Sequence, residues 1–104
     1  MSESGVLWEV LFRADPAVDA IVFSRAVIAD ARTLPIPGRD VSSSSEELRA
    51  LIAASTQDDA CLIAGEITDA ANDLADPSGE LRSRWRRGRG GWWNAGPSVS
   101  SYRP

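Results

Sequence analysis

The sequence predicts a small all-α domain of three or four helices, followed by an extended basic arm at the C-terminus. Two observations predict the helices: overlapping capping boxes occur between residues 43 and 47, and apolar residues recur with helical spacing between residues 63 and 74. A third observation, the length of 104 residues, indicates one domain.

The first third of the chain predicts the first one or two elements. Val6–Arg13 is apolar and rich in strand-forming residues, so it is either a short N-terminal strand or the first helix. Asp15-Pro16 is typical of an N-cap followed by proline at the first helical position, which predicts a helix from Pro16 to about Arg32. Its apolar residues cover more than one face, so we expect it to be the central buried helix.

The middle of the chain predicts two further helices. The capping boxes Ser43-x-x-Glu46 and Ser44-x-x-Glu47 predict a helix from about residue 45 to 55, which ends before a new start at Thr56 or Asp58. The helix that starts there runs to about Leu74. The apolar residues that we expect to point inward from these two helices are Leu48, Leu51, Ile52, Ile63, Ile67, Ala70, Ala71 and Leu74.

The last predicted helix leads into a segment of different composition. Asp76-Pro77 repeats the arrangement of N-cap and proline, which predicts a short helix from Pro77 to about Arg87 that places Leu81 and Trp85 one turn apart. From about Gly88 the chain is rich in glycine and serine, so we expect an extended arm.

Charge divides the chain into two parts. Residues 1–80 contain all 15 acidic residues and five arginines, whereas residues 81–104 contain six arginines and no acidic residue. This asymmetry predicts an acidic helical domain over residues 1–80 and an Arg/Gly/Trp-rich C-terminal arm over residues 81–104.

The composition excludes several kinds of catalytic site. The chain has no histidine and no lysine, so it contains no Ser-His or Cys-His pair, no Schiff-base lysine and no P-loop lysine. A single cysteine, Cys61, provides neither an internal disulfide nor a Cys/His zinc site. We therefore expect a non-enzymatic protein that uses no cofactor and no metal.

The N-terminal residues and the apolar stretches also predict the cellular location of the protein. The N-terminal residues lack the pattern of a signal peptide, and no stretch approaches the roughly 18 apolar residues of a membrane span. We expect a cytoplasmic protein that does not bind membranes. The complete use of arginine in place of lysine indicates a GC-rich bacterial or phage genome.

The C-terminal arm carries the residues that point to a binding function. Guanidinium groups pair with phosphate in a bidentate manner, tryptophan rings stack on exposed bases, and glycine allows close approach of the backbone. We predict that the arm binds nucleic acid or another polyanion through Arg82, Arg84, Arg86, Arg87, Arg89, Trp85, Trp92 and Trp93.

Two triplets within the arm resemble known nucleic-acid-binding motifs. Arg87-Gly88-Arg89 resembles the core of AT-hook-like motifs, which implies arginines lying along the minor groove of A·T-rich DNA. Arg89-Gly90-Gly91 is similar to one RGG triplet of RNA-binding segments.

A second candidate surface is acidic. The carboxylates Glu66, Asp69, Asp73 and Asp76 recur with helical spacing and form a stripe on one face of their predicted helix. This acidic stripe is either a solvated outer face or a docking strip for the chain's own arginines, which include Arg82 and Arg84.

Two other functional classes remain open. The acidic helical part, the Gly90-Gly91 pair and the aromatic C-terminus resemble the layout of precursors of ribosomally made, modified peptides. The alternative is a phage or assembly component whose arm becomes ordered on a neighbouring subunit. Under either alternative a protein partner or a homo-oligomer is expected.

Overall fold

The chain forms a mixed α/β fold, so the all-α fold class and the helical bundle that the sequence predicts are wrong. A computed structural model describes residues 6–37, 47–88 and 96–102, with only the backbone described for residues 86–88. Within these ranges, a three-stranded antiparallel sheet of order β2-β1-β3 is accompanied by three helices. The elements, in chain order, are β1 Val6–Arg13, α1 Ala20–Ala29, β2 Glu47–Ala54, α2 Gln57–Ala75, α3 Glu80–Gly88 and β3 Ser98–Ser101.

The central strand is β1, which resolves the open alternative for the first segment in favour of a strand. Val10 and Phe12 are fully buried, whereas Leu7, on the other face, is 36% exposed. This alternation is that of a strand with one face against a core. The indole N–H of Trp8 donates to the carbonyl oxygen of Ala54 at 3.0 Å, which ties β1 to the end of β2.

Strand β2 replaces the helix predicted over residues 45–55. Every residue of β1 from Val6 to Arg13 pairs with one of β2, and Phe12 lies opposite Leu48. The buried residues of β2 include Leu48, Ala50 and Ile52, which share the face toward the helices. The pairing with β1 outweighs the local capping signal, and residues 43–46 lie outside the described residues.

Strand β3 lies within the segment predicted to be an extended arm, and there the chain belongs to the sheet instead. Ser98–Ser101 pairs with β1 in antiparallel register, with Val99 opposite Val10. The side-chain amide of Gln57, in the first turn of α2, donates to the carbonyl oxygen of Val99 at 3.0 Å. The segment therefore contributes an edge strand, while the division of the chain near residue 80 stays a prediction.

Helix α1 is shorter and less buried than predicted. Its N-cap is Asp19, whose carboxylate accepts from the backbone N–H groups of Ile21 and Val22, whereas Asp15 is a buried residue of the preceding turn. The helix ends at Ala29, and only one of its faces is buried. The prediction of a central buried helix is therefore wrong, because the apolar residues on the other face of α1 remain exposed.

Helix α2 begins after Thr56, one of the two predicted starts, and ends at Ala75, so the helix predicted to run to about Leu74 is confirmed. The Thr56 hydroxyl accepts from the backbone N–H of Asp59 at 3.1 Å, as expected for an N-cap. Ala60, Ala64 and Ala71 are buried along its inner face, where small side chains allow the helix to lie close to its neighbours. The largest fully buried side chains of the core are Phe12, Phe23, Ile52, Ile67, Val10 and Val27.

Candidate functional site

The basic segment begins where α3 is joined to the end of α2. Asp76 is the C-cap of α2, and the chain turns through Gly79, which has a φ of 75°. This left-handed conformation favours glycine because it has no Cβ. Helix α3 therefore starts at Glu80, three residues later than the predicted start at Pro77.

A cluster of hydrogen bonds around Asp76 joins the start of α3 to the C-terminal end of α2. Asp76 is buried, with 3% of the residue exposed. Its carboxylate accepts hydrogen bonds from the backbone N–H groups of Leu81 at 3.3 Å and Arg82 at 3.2 Å. It also accepts from the Nε of Arg82 at 3.0 Å. The Nη2 of Arg82 donates to the backbone oxygen of Asp76 and to the carboxylate of Asp73, both at 3.1 Å. We call these three residues, Asp73, Asp76 and Arg82, the junction cluster.

The charges of the junction cluster support one another. Burial opposes the ionisation of Asp76, but hydrogen bonds from the backbone and side chain of Arg82 and from the N–H of Leu81 hold its pKa below the ordinary value. Burial likewise opposes the charge on Arg82, but its bonds to Asp76 and Asp73 raise its pKa above the usual range. Both groups are therefore charged at neutral pH.

The junction cluster determines which groups near the start of α3 are available to a ligand. The Arg82 side chain is only 18% exposed, so its guanidinium is engaged within the protein. The N–H groups of Leu81 and Arg82, which would otherwise bind an anion at the start of a helix, are occupied by Asp76. An open cleft of about 340 Å³ at this end is lined by both Glu80 and Arg84. Anion binding here must therefore depend on other arginines.

Among the other predicted binding residues, Arg84 is the one whose side chain is both described and exposed. It forms no ion pair with any carboxylate of the described ranges. Trp85 is half-buried. The backbone of α3 continues through Arg86 and Arg87, whose side chains lie outside the described atoms. Arg89, Trp92 and Trp93 fall outside the described residues.

The predicted acidic stripe is divided between two partners. Asp73 and Asp76 contact Arg82, whereas Glu66 accepts from Arg32 at 2.8 Å and so ties α2 to the end of α1. Asp69 is exposed and makes no ion pair within the described part of the chain. The stripe is therefore not one continuous free surface.

Sequence reasoning did not find the ion pair at the end of α1. Arg32 donates to both carboxylate oxygens of Asp30, the C-cap of α1, at 3.0 Å. The hydrogen bond from the Arg32 side chain holds the pKa of Asp30 below the ordinary value, although burial opposes this. The short spacing of Asp30 and Arg32 was visible in the sequence, but the position of Glu66 depends on the packing of α1 against α2.

The described residues contain no group of three or more side chains suited to holding a metal ion. Within the same ranges, no helix is long and apolar enough to cross a membrane. Comparison with known proteins found no matching protein family, no matching curated sequence and no matching solved structure.

Proposed function

We propose that this protein is a non-enzymatic, cytoplasmic interaction module that binds a polyanion, nucleic acid first, through α3 and the residues that follow it. The observation that carries this proposal is that two arginines close together in α3 have different environments. Arg82 fixes α3 to the acidic end of α2, and Arg84, two residues later, is exposed without a carboxylate partner in the described ranges. Helix α3 therefore presents arginine from a fixed position.

The chemistry of the following residues fits phosphate and bases. The segment from Arg84 to Arg89 contains four arginines and no acidic residue, and Trp92 and Trp93 follow it. Each base stacked on an aromatic ring contributes about 1–3 kcal/mol, and arginine adds charge-assisted hydrogen bonds to phosphate. In this proposal Arg84, Arg86, Arg87 and Arg89 contact phosphates, and Trp92 and Trp93 stack on bases.

The proposed lack of catalysis rests on side-chain chemistry. The chain has neither histidine nor lysine, and its one cysteine, Cys61, is exposed on α2 close to Asp58 and Asp59. Without histidine in the chain, this cysteine has no imidazole base to activate it. The chain therefore offers no activated nucleophile of the common kinds.

The register of β3 makes the peptide-precursor alternative less favourable. Cleavage after Gly90-Gly91 would release Ser98–Ser101, which pairs with β1, and would expose the buried edge of the central strand. The same pairing shows that truncation before residue 98 removes a strand. Point substitutions are therefore the better test of binding.

Fluorescence anisotropy with a labelled single-stranded DNA and the matching duplex tests the proposal. If four arginines contact phosphate, the logarithm of the binding constant falls with the logarithm of salt with a slope of about −3.6 for duplex or about −2.8 for single strands. Arg84→Ala should weaken binding to any sequence and reduce the slope by about one contact.

A matched control removes charge elsewhere on the protein. Arg25→Ala takes one exposed arginine from α1 and should leave the slope unchanged, whereas the triple change of Arg86, Arg87 and Arg89 to alanine should abolish binding. The triple change of Arg13, Arg25 and Arg49 to alanine removes the same formal charge from other elements. Equal loss from both triple variants would show that only net charge matters and would refute the proposed surface.

A further inference from the structure

Helix α1 exposes an apolar face that no described element covers. Ile21, Val22 and Ile28 are 44%, 40% and 47% exposed, and they lie four, three and three residues from Arg25 along the helix. This spacing places them on one face of the helix together with Arg25 and Ala29. We call these five residues the α1 face.

The α1 face continues into an apolar groove beside β2. Ile28 belongs both to the face and to the lining of this groove, which has a volume of about 140 Å³. The groove is lined by Ile28, Thr33, Leu34, Pro35, Leu48, Arg49 and Ala50. Leu34 is itself 43% exposed. The apolar surface therefore extends beyond one helix, as is typical of interaction sites rather than of single exposed side chains.

Arg25, at the centre of the α1 face, shares with Arg84 of α3 an exposed side chain without an ion pair among the described residues. Arg13, Arg32, Arg49 and Arg82 all form such pairs. The α1 face thus combines branched apolar side chains with a cation that has no carboxylate partner.

We propose that the α1 face binds an amphipathic helix of another protein whose apolar side carries a carboxylate near its centre. An apolar partner surface would cover the three branched side chains, and the carboxylate would meet Arg25, because a guanidinium that loses water at an interface needs a charged partner. The ten residues of α1 extend about 15 Å, enough to engage two to three turns of a partner helix. This surface is distinct from the proposed polyanion-binding segment.

The position of Arg25 disfavours a second copy of this chain as the occupant. A two-fold dimer brings the same patch of both copies together around one axis. On the α1 face Arg25 is the central residue, between Ile21 and Ile28, so two-fold pairing would place two guanidinium groups near each other. A partner of opposite charge avoids this repulsion.

Two synthetic peptides and the ¹⁵N-labelled full-length protein test the proposal by NMR titration. Each peptide is a capped helix of about 18 residues, long enough to be stable, with leucines on one face. One carries a glutamate in the centre of that face, and the other carries a lysine there. We expect the glutamate peptide to shift the amide signals of Ile21, Val22, Arg25 and Ile28, and to bind at least about tenfold more tightly than the lysine peptide.

Two substitutions complete the test. Arg25→Gln should remove the preference between the peptides, whereas Arg13→Gln, which removes an arginine from β1, should keep it. The proposal is overturned if neither peptide shifts the α1 signals, or if both peptides bind equally well. It is also overturned if those signals shift with protein concentration when no peptide is present, since this would identify a second copy as the occupant.

Discussion

Alanine substitutions along β1 should destabilise the protein with a period of two residues. Phe12 is fully buried, so Phe12→Ala should lower the free energy of unfolding by about 3–5 kcal/mol through lost burial and the cavity left behind. That is a large part of the about 5–15 kcal/mol typical of a small domain. Leu7 lies on the other face and is 36% exposed, so Leu7→Ala should cost less than about 1 kcal/mol.

Urea denaturation followed by far-UV circular dichroism measures these costs. The urea midpoint should fall strongly for Phe12→Ala with little change in the dependence on urea, and Phe12→Leu should retain most of the stability. If residues 6–13 were a helix, Leu7 and Leu11 would lie one turn apart on the same face. If Leu7→Ala and Leu11→Ala lowered the free energy of unfolding as much as Phe12→Ala does, the assignment of β1 as a strand would therefore be refuted.

Substitutions at four further residues test the junction cluster, the turn beside it and the ion pair between α1 and α2. Arg82→Ala should speed hydrogen exchange of the α3 amides, and Arg82→Lys should restore only part of the protection, since lysine lacks the planar set of donors. Burial opposes the ionisation of Asp76, but hydrogen bonds hold its pKa below the ordinary value. The stabilising effect of the Asp76 carboxylate is therefore present above pH about 4 and is lost as the pH falls through the lowered pKa. Asp76→Asn should remove this acid dependence of hydrogen exchange in α3. Gly79→Ala should cost about 1–2 kcal/mol in thermal or urea unfolding, because the φ of 75° is unfavourable for alanine although space is available. Glu66→Gln should cost only about 0–1 kcal/mol, less still in high salt, because both partners in its ion pair are exposed.

Helix α2 was within reach of sequence reasoning because its start signal is local, whereas α1 is capped by Asp19 and not by the predicted Asp15. Thr56 caps α2 through its own side chain. Ile67 and Ala71 are buried as predicted, but Ala70 and Leu74, which were expected to point inward, are exposed. Helix α3 was predicted as well, but its start was placed too early. The carboxylate of Asp76 accepts from N–H groups five and six residues later, so the turn at Gly79 separates the cap from the helix.

Strand β2 was predicted as a helix because its sequence satisfies both periods. Leu48, Leu51 and Ile52 have helical spacing, whereas Leu48, Ala50 and Ile52 alternate as in a strand. The choice depends on β1, which is about 40 residues away in sequence and provides a complete partner. Local capping residues contribute about 1 kcal/mol each, less than the pairing of eight residues and the burial of five of them.

Strand β3 could not be found from its own residues for a related reason. Three of its four residues are serines, and Val99 is the one apolar side chain. It is placed by backbone pairing with β1 and by the amide of Gln57, neither of which leaves a pattern in the segment itself. An edge strand with so little burial is specified by its neighbours.

The count of charges along the chain assigns Arg82 the wrong role, and the reason affects which arginines of the basic segment can bind phosphate. The count assigns Arg82 to the basic arm, but its guanidinium makes ion pairs with Asp73 and Asp76 of the acidic half. A phosphate competing for Arg82 would leave the buried Asp76 carboxylate without its main partner, which is costly. Arg84 forms no ion pair with a described carboxylate, so phosphate binding to Arg84 would break none. If the proposed polyanion binding occurs, it should therefore leave the start of α3 joined to the end of α2, with Arg82 setting the position from which Arg84 reaches the ligand.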